Sequence, residues 1–63
     1  MTKIVIQLGK SRADDISIFG HTAAVYGIPT VAMYDMSGSL FLKPEQAEAI
    51  AEGLKKAAED SRK

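Results

Sequence analysis

Gly9-Lys10-Ser11, entered from the apolar run Ile4-Val5-Ile6, has the residue types with which a phosphate-binding loop closes. That loop needs a further glycine five positions earlier, because its backbone N–H groups must wrap the phosphates closely, and it must open into a long helix. Ile4 stands where the glycine is required, and the residues after Arg12-Ala13-Asp14-Asp15 alternate as a strand does. The segment reads as a hairpin loop, with no nucleotide bound. His21 is the single histidine, the residue type most often used as a general base. A catalytic base needs a nucleophile or an orienting carboxylate beside it. The register puts Asp35 on the opposite face, so His21 reads as a packed ring. Asp14-Asp15 reads as a solvated acidic turn; with no cysteine and one histidine the chain offers neither a thiolate nor a multi-histidine metal site, which leaves only weak carboxylate binding of a hard cation, and no metal is expected. Neither a catalytic residue nor a cofactor-binding residue is expected, and the chain is read as no enzyme.

Charge narrows the partners. Positive and negative residues number eight each, and they balance locally as well, three against three up to Asp35 and five against five beyond it. Nucleic-acid binders show a basic excess or stripe, which is missing here, so nucleic acid is an unlikely partner. No run approaches membrane-spanning length and the start lacks the apolar region of a secretion signal. A cytoplasmic protein with no membrane partner is the expectation.

The elements that must position these residues follow from two periodicities. From Lys3 to Lys43 apolar residues alternate with period two, and from Pro44 onward they recur at three and four. The reading is one α+β domain over 1–63, a four-stranded antiparallel β-meander with one C-terminal α-helix packed on one sheet face. Strands are expected at 3–8, 16–26, 30–35 and 39–42, and the helix at 44–60. Gly27-Ile28 and Ser37-Gly38 are read as two-residue hairpin turns, Gly27 at the first position of a type II′ turn. Those turns set Ile6 opposite Ile18, His21 opposite Tyr34, and Tyr34 opposite Phe41.

This register sorts the side chains. Ile4, Ile6, Leu8, Ile16, Ile18, Val31, Met33, Leu40 and Leu42 share one face, expected to be the core beneath the helix stripe Ala47, Ile50, Ala51, Leu54, Ala57 and Ala58. The other face gathers Val5, Phe19, His21, Ala23, Val25, Ala32, Tyr34 and Phe41. A sheet face turned to water should be polar, and a contiguous apolar patch marks an interaction site. These eight residues are the expected interface of a homodimer, which would also remedy the small core of so short a chain. The function read from this is a small non-enzymatic protein-binding module. The alternative is a nucleic-acid binder that stacks bases on the aromatic row, against which only Lys3 offers charge nearby.

The stretch LFLKPEQAEAIAEGLKKAAE resembles the strand-then-helix ending of many small uncharacterised proteins from actinobacteria and their phages. Lys43 stands where those sequences usually carry Ser or Thr before the proline. The resemblance implies a phage setting and, as small phage proteins often do, action by binding a host protein.

Overall fold

The computed structural model describes residues 2–63. It contains β1 (Thr2–Gln7), a 3-10 turn (Arg12–Asp14), β2 (Asp15–His21), a one-turn helix α1 (Ala23–Tyr26), β3 (Thr30–Asp35), β4 (Gly38–Leu42) and α2 (Pro44–Ser61). The strands form one antiparallel sheet in the order β1-β2-β3-β4. The α+β meander with a C-terminal helix packing on it, against β3 and β4, is therefore the architecture.

The second strand is shorter than the alternation implies. The pattern predicts one strand over Ile16–Tyr26, but the sheet lets go at His21, and Ala23–Tyr26 winds into α1. Two alanines favour helix, Thr22 belongs to the residue class that precedes one, and Gly27 ends it. Gly27 has φ 82 and ψ −18, the left-handed cap, and its N–H bonds the Ala23 carbonyl at 2.7 Å. The positive φ agrees with expectation, but a helix cap requires it and not a type II′ turn. Pro29, two residues on, then prevents the helix from continuing.

The β3–β4 connection is also displaced. Asp35 pairs with Gly38, so Met36-Ser37 make the turn rather than Ser37-Gly38. Neither Met36 nor Ser37 has positive φ, which leaves a type I turn with Asp first and Gly last, the preferred residues at those ends. The Asp35 carboxylate accepts from Ser37 N–H (2.8 Å), Ser37 O–H (2.7 Å) and Gly38 N–H (3.0 Å). These bonds, Ser37's foremost, hold its carboxyl below the ordinary 3.8. The folded-state value is depressed, so the stabilisation is complete above 3.8 and is lost as pH falls through the folded value. Asp35→Ala is expected to melt lower than the parent at neutral pH and to lose less on acidification through 3.8. Thermal denaturation of both chains across that range checks it; equal losses would contradict it.

Register differs from expectation by even steps. Ile6 faces Ile16, Tyr34 faces Ser17, and Met33 faces Leu40. Side chains alternate with period two, so even slips leave every residue on its expected face. Which face is buried is another matter. The aliphatic face, expected as the core, stays open: Ile4 and Leu40 are each 49% exposed. Among the described residues Ala32 is the one buried apolar residue, fully so, and it lies on the opposite face.

α2 begins where expected. Pro44 occupies its first turn with Glu45 beside it, a favourable charge for the macrodipole. Lys43 has no acceptor to offer the helix, but its own N–H is bonded by Gln46 Oε1 at 2.9 Å, half of a capping box. No residue of α2 is buried, and Leu54 in its apolar stripe is 64% exposed. The chief contacts of α2 are with β3 and β4.

Candidate functional site

The phosphate-loop residues are held as a hairpin. Ser11 Oγ accepts from Ala13 N–H at 3.2 Å, capping the 3-10 turn, and the chain passes directly into antiparallel β2. A single 3-10 turn presents no ladder of N–H groups to a phosphate. Among the described residues no three His, Asp or Glu side chains stand together as metal ligands, and no helix is long and apolar enough to cross a membrane.

The aromatic face is the constructed feature. Cross-strand pairing aligns Lys3, Phe19, Ala32 and Phe41 in one row and Val5, Ser17, Tyr34 and Ser39 in the next. α1 then folds Tyr26 over the sheet. Five rings close a circuit: Phe19–His21 at 5.9 Å, His21–Tyr26 at 5.3 Å, Tyr26–Phe41 at 5.7 Å, Phe41–Tyr34 at 6.0 Å and Tyr34–Phe19 at 5.6 Å between centroids. Four pairs meet edge to face and Phe19–His21 is stacked, the geometries that aromatic quadrupoles favour. Ala32 is paired with Phe19 on one side and Phe41 on the other, and forms the floor. Lys3 Nζ stands 5.7 Å above Phe19, within cation–π range.

Of the eight expected interface residues, Phe19, His21, Ala32, Tyr34 and Phe41 are brought together, and Val5 stands one row away. Ala23 and Val25 leave the sheet with α1. Ala32 is wholly covered, so it supports the patch without touching a partner, whereas Phe41 is half exposed. Tyr26 is the residue that alternation alone misses, because it assigns it to the end of a strand. Thr22 before Ala23-Ala24 and Gly27 after Tyr26 are the signal that it belongs to a helix turn.

Two polar groups lie inside the circuit. Tyr26 raises the Tyr34 phenol above its ordinary 10.0, first as a hydrogen-bonding neighbour, with desolvation next. His21 Nδ1 is shut from solvent with no hydrogen-bond partner. An unpaired buried nitrogen costs free energy that an apolar ring of similar shape would not. His21→Phe is therefore expected to raise stability by about 1 kcal/mol, measured by urea denaturation. A fall of that size would show that the imidazole makes a bond essential to the fold.

Beside the circuit an open, mainly apolar groove of about 440 Å³ runs between Tyr26, Ile28, Thr30, Phe41, Leu42, Lys43 and Gln46. Thr30, its one buried polar wall, is satisfied by donating to the Ile28 carbonyl at 2.9 Å. The groove therefore has an apolar lining and its polar margin at Lys43 and Gln46. No protein family model, curated protein or solved structure matches the chain.

Proposed function

We propose that the chain is a small non-enzymatic protein-binding module that works as a homodimer and presents its aromatic face to another protein. The observation that carries this reading is the burial pattern: among the described residues Ala32 is the one buried apolar side chain. A chain that leaves both faces of its sheet and its helix stripe in contact with water has too little core to stand alone. Association supplies what the fold lacks.

The aromatic face suits recognition of a protein. Tyr26, Tyr34 and Phe41 are rigid aromatic side chains that are partly exposed, a class enriched at interfaces. The neighbouring groove would take an apolar side chain, with Lys43 and Gln46 at its rim. The likeness of the C-terminal stretch to phage proteins leans toward a host protein as the partner. Lys3 over Phe19 and Lys43 at the groove rim are isolated charges and make no basic stripe, so the base-stacking alternative gains no support.

Affinity capture with three chains tests the reading: the parent, Phe41→Glu, and Ala49→Glu on the exposed side of α2. A defined protein retained by the parent and Ala49→Glu but lost by Phe41→Glu is expected. Equal capture by all three would contradict it, and single-stranded oligonucleotide binding lost in Phe41→Glu would transfer the face to the nucleic-acid alternative.

A further inference from the structure

The aliphatic face of the sheet is left open, and the same chain carries a second apolar surface that is open too. Register aligns Ile4, Ile18, Met33 and Leu40 in one uninterrupted aliphatic row across all four strands. The stripe of α2 centred on Ile50 and Leu54 remains in contact with water, with 38% and 64% exposure. The helix is long enough to cross the whole sheet face. Eighteen residues make a helix of about 27 Å, and four strands make a face about 15–19 Å wide.

Within one chain the chief contacts of α2 are with β3 and β4, and they leave Ile4, Leu40 and Leu54 about half exposed or more. α2 leaves β4 through the single residue Lys43, and the proline at the first helical position stiffens that joint. Lys43 is tied further into the helix by its N–H to Gln46 and by its carbonyl to Ala47 N–H at 3.0 Å. The chain is extended, with a radius of gyration of 13.3 Å against about 11 Å for a compact chain of this length.

We infer that the occupant is a second copy of this chain, with α2 of each protomer laid across the aliphatic face of the other. This rests on the homodimeric reading above and names its surface. The area agrees. The chain exposes 5127 Å², where a folded monomer of its mass exposes about 4,000 Å². The surplus, roughly 1,100 Å², exceeds the about 800 Å² that each partner contributes to a standard interface. Reciprocal exchange satisfies both surfaces by one two-fold operation, and it leaves the aromatic circuit outside, free for a different protein.

The test uses the absence of native cysteine. Isotopically heavy Ile18→Cys and light Leu54→Cys chains are unfolded together, refolded in a glutathione buffer, and their disulfides identified by mass. The expected product is the mixed disulfide, joining a heavy Ile18→Cys chain to a light Leu54→Cys chain, in excess over both like pairs. Leu54→Glu is expected to raise the dimer dissociation constant about a hundredfold, while Ala49→Glu on the exposed side of the same helix leaves it unchanged. Dominance of either like pair, or a dimer lost in Phe41→Glu and kept in Leu54→Glu, overturns the exchange while leaving a homodimer standing. A parent chain that is folded and monomeric overturns the homodimer itself.

Discussion

Ala32→Leu is expected to destabilise the protein by about 3 kcal/mol. Ala32 has no exposed surface and lies beneath a closed circuit of five rings, between Phe19 and Phe41 in register. The larger side chain can enter only by opening the circuit or bending β3. Overpacking of this kind costs about 1–3 kcal/mol, and the upper figure applies where every neighbour is a rigid ring. A chain of 63 residues has about 3–9 kcal/mol in all, so a third or more of its margin goes. Urea denaturation decides the matter. An unchanged midpoint would mean that the rings do not close over Ala32, and the candidate site would lose its foundation.

Tyr26→Ala should cost about 2 kcal/mol, because it deletes two aromatic contacts, to His21 and Phe41, each worth about 0.5–1.5 kcal/mol beyond buried area. Its location makes the result diagnostic. Tyr26 is the last residue of α1 and holds that turn down on the sheet. Without it α1 should detach, and amide exchange at Gly27, whose N–H is bonded to Ala23, should quicken while the β2–β3 ladder stays protected. Tyr26→Phe should retain the ring contacts and the slow exchange. Equal protection of Gly27 in parent and Tyr26→Ala would show that α1 stands without the tyrosine.

These two residues also show where sequence reasoning holds and where it stops. The meander, the long helix and the membership of each sheet face are legible, because alternation fixes parity and parity survives even slips of register. Tyr34 and Phe41 fall on one face although they pair diagonally rather than directly. Exact pairing is not legible, since it depends on turns whose chemistry is local. Asp35 gathers three donors and moves the β3–β4 turn back by one residue; Thr22 and Gly27 bracket one turn of helix inside an alternating apolar run. Period two persists through Ala23-Ala24-Val25-Tyr26 because alanine is neutral to the pattern, and a strand reading runs on into a helix. Burial is the least legible property. Aliphatic residues on one face imply a core only if something covers them, and the one-residue joint at Lys43 directs α2 elsewhere. The aromatic face, expected to be left over, contains the buried residue instead.

The same joint bears on folding. The sheet forms from three sequential hairpins with short connections, which favours rapid local assembly. The aliphatic face is then exposed, and β1, an edge strand rich in Ile and Val with Lys3 its one charge, is exposed beside it. Edges of this composition invite irregular pairing. A reciprocal helix across the sheet would sequester the face on which Ile4 and Ile6 lie, so assembly protects the chain as well as stabilising it.

Sedimentation equilibrium of the unmodified chain over a wide range of micromolar concentrations, with circular dichroism on the same samples, tests the central claim most directly. The account predicts a folded species of twice 6.8 kDa, with secondary structure lost in step with dissociation on dilution. A species of 6.8 kDa that keeps its full sheet and helix signal at every concentration would contradict it.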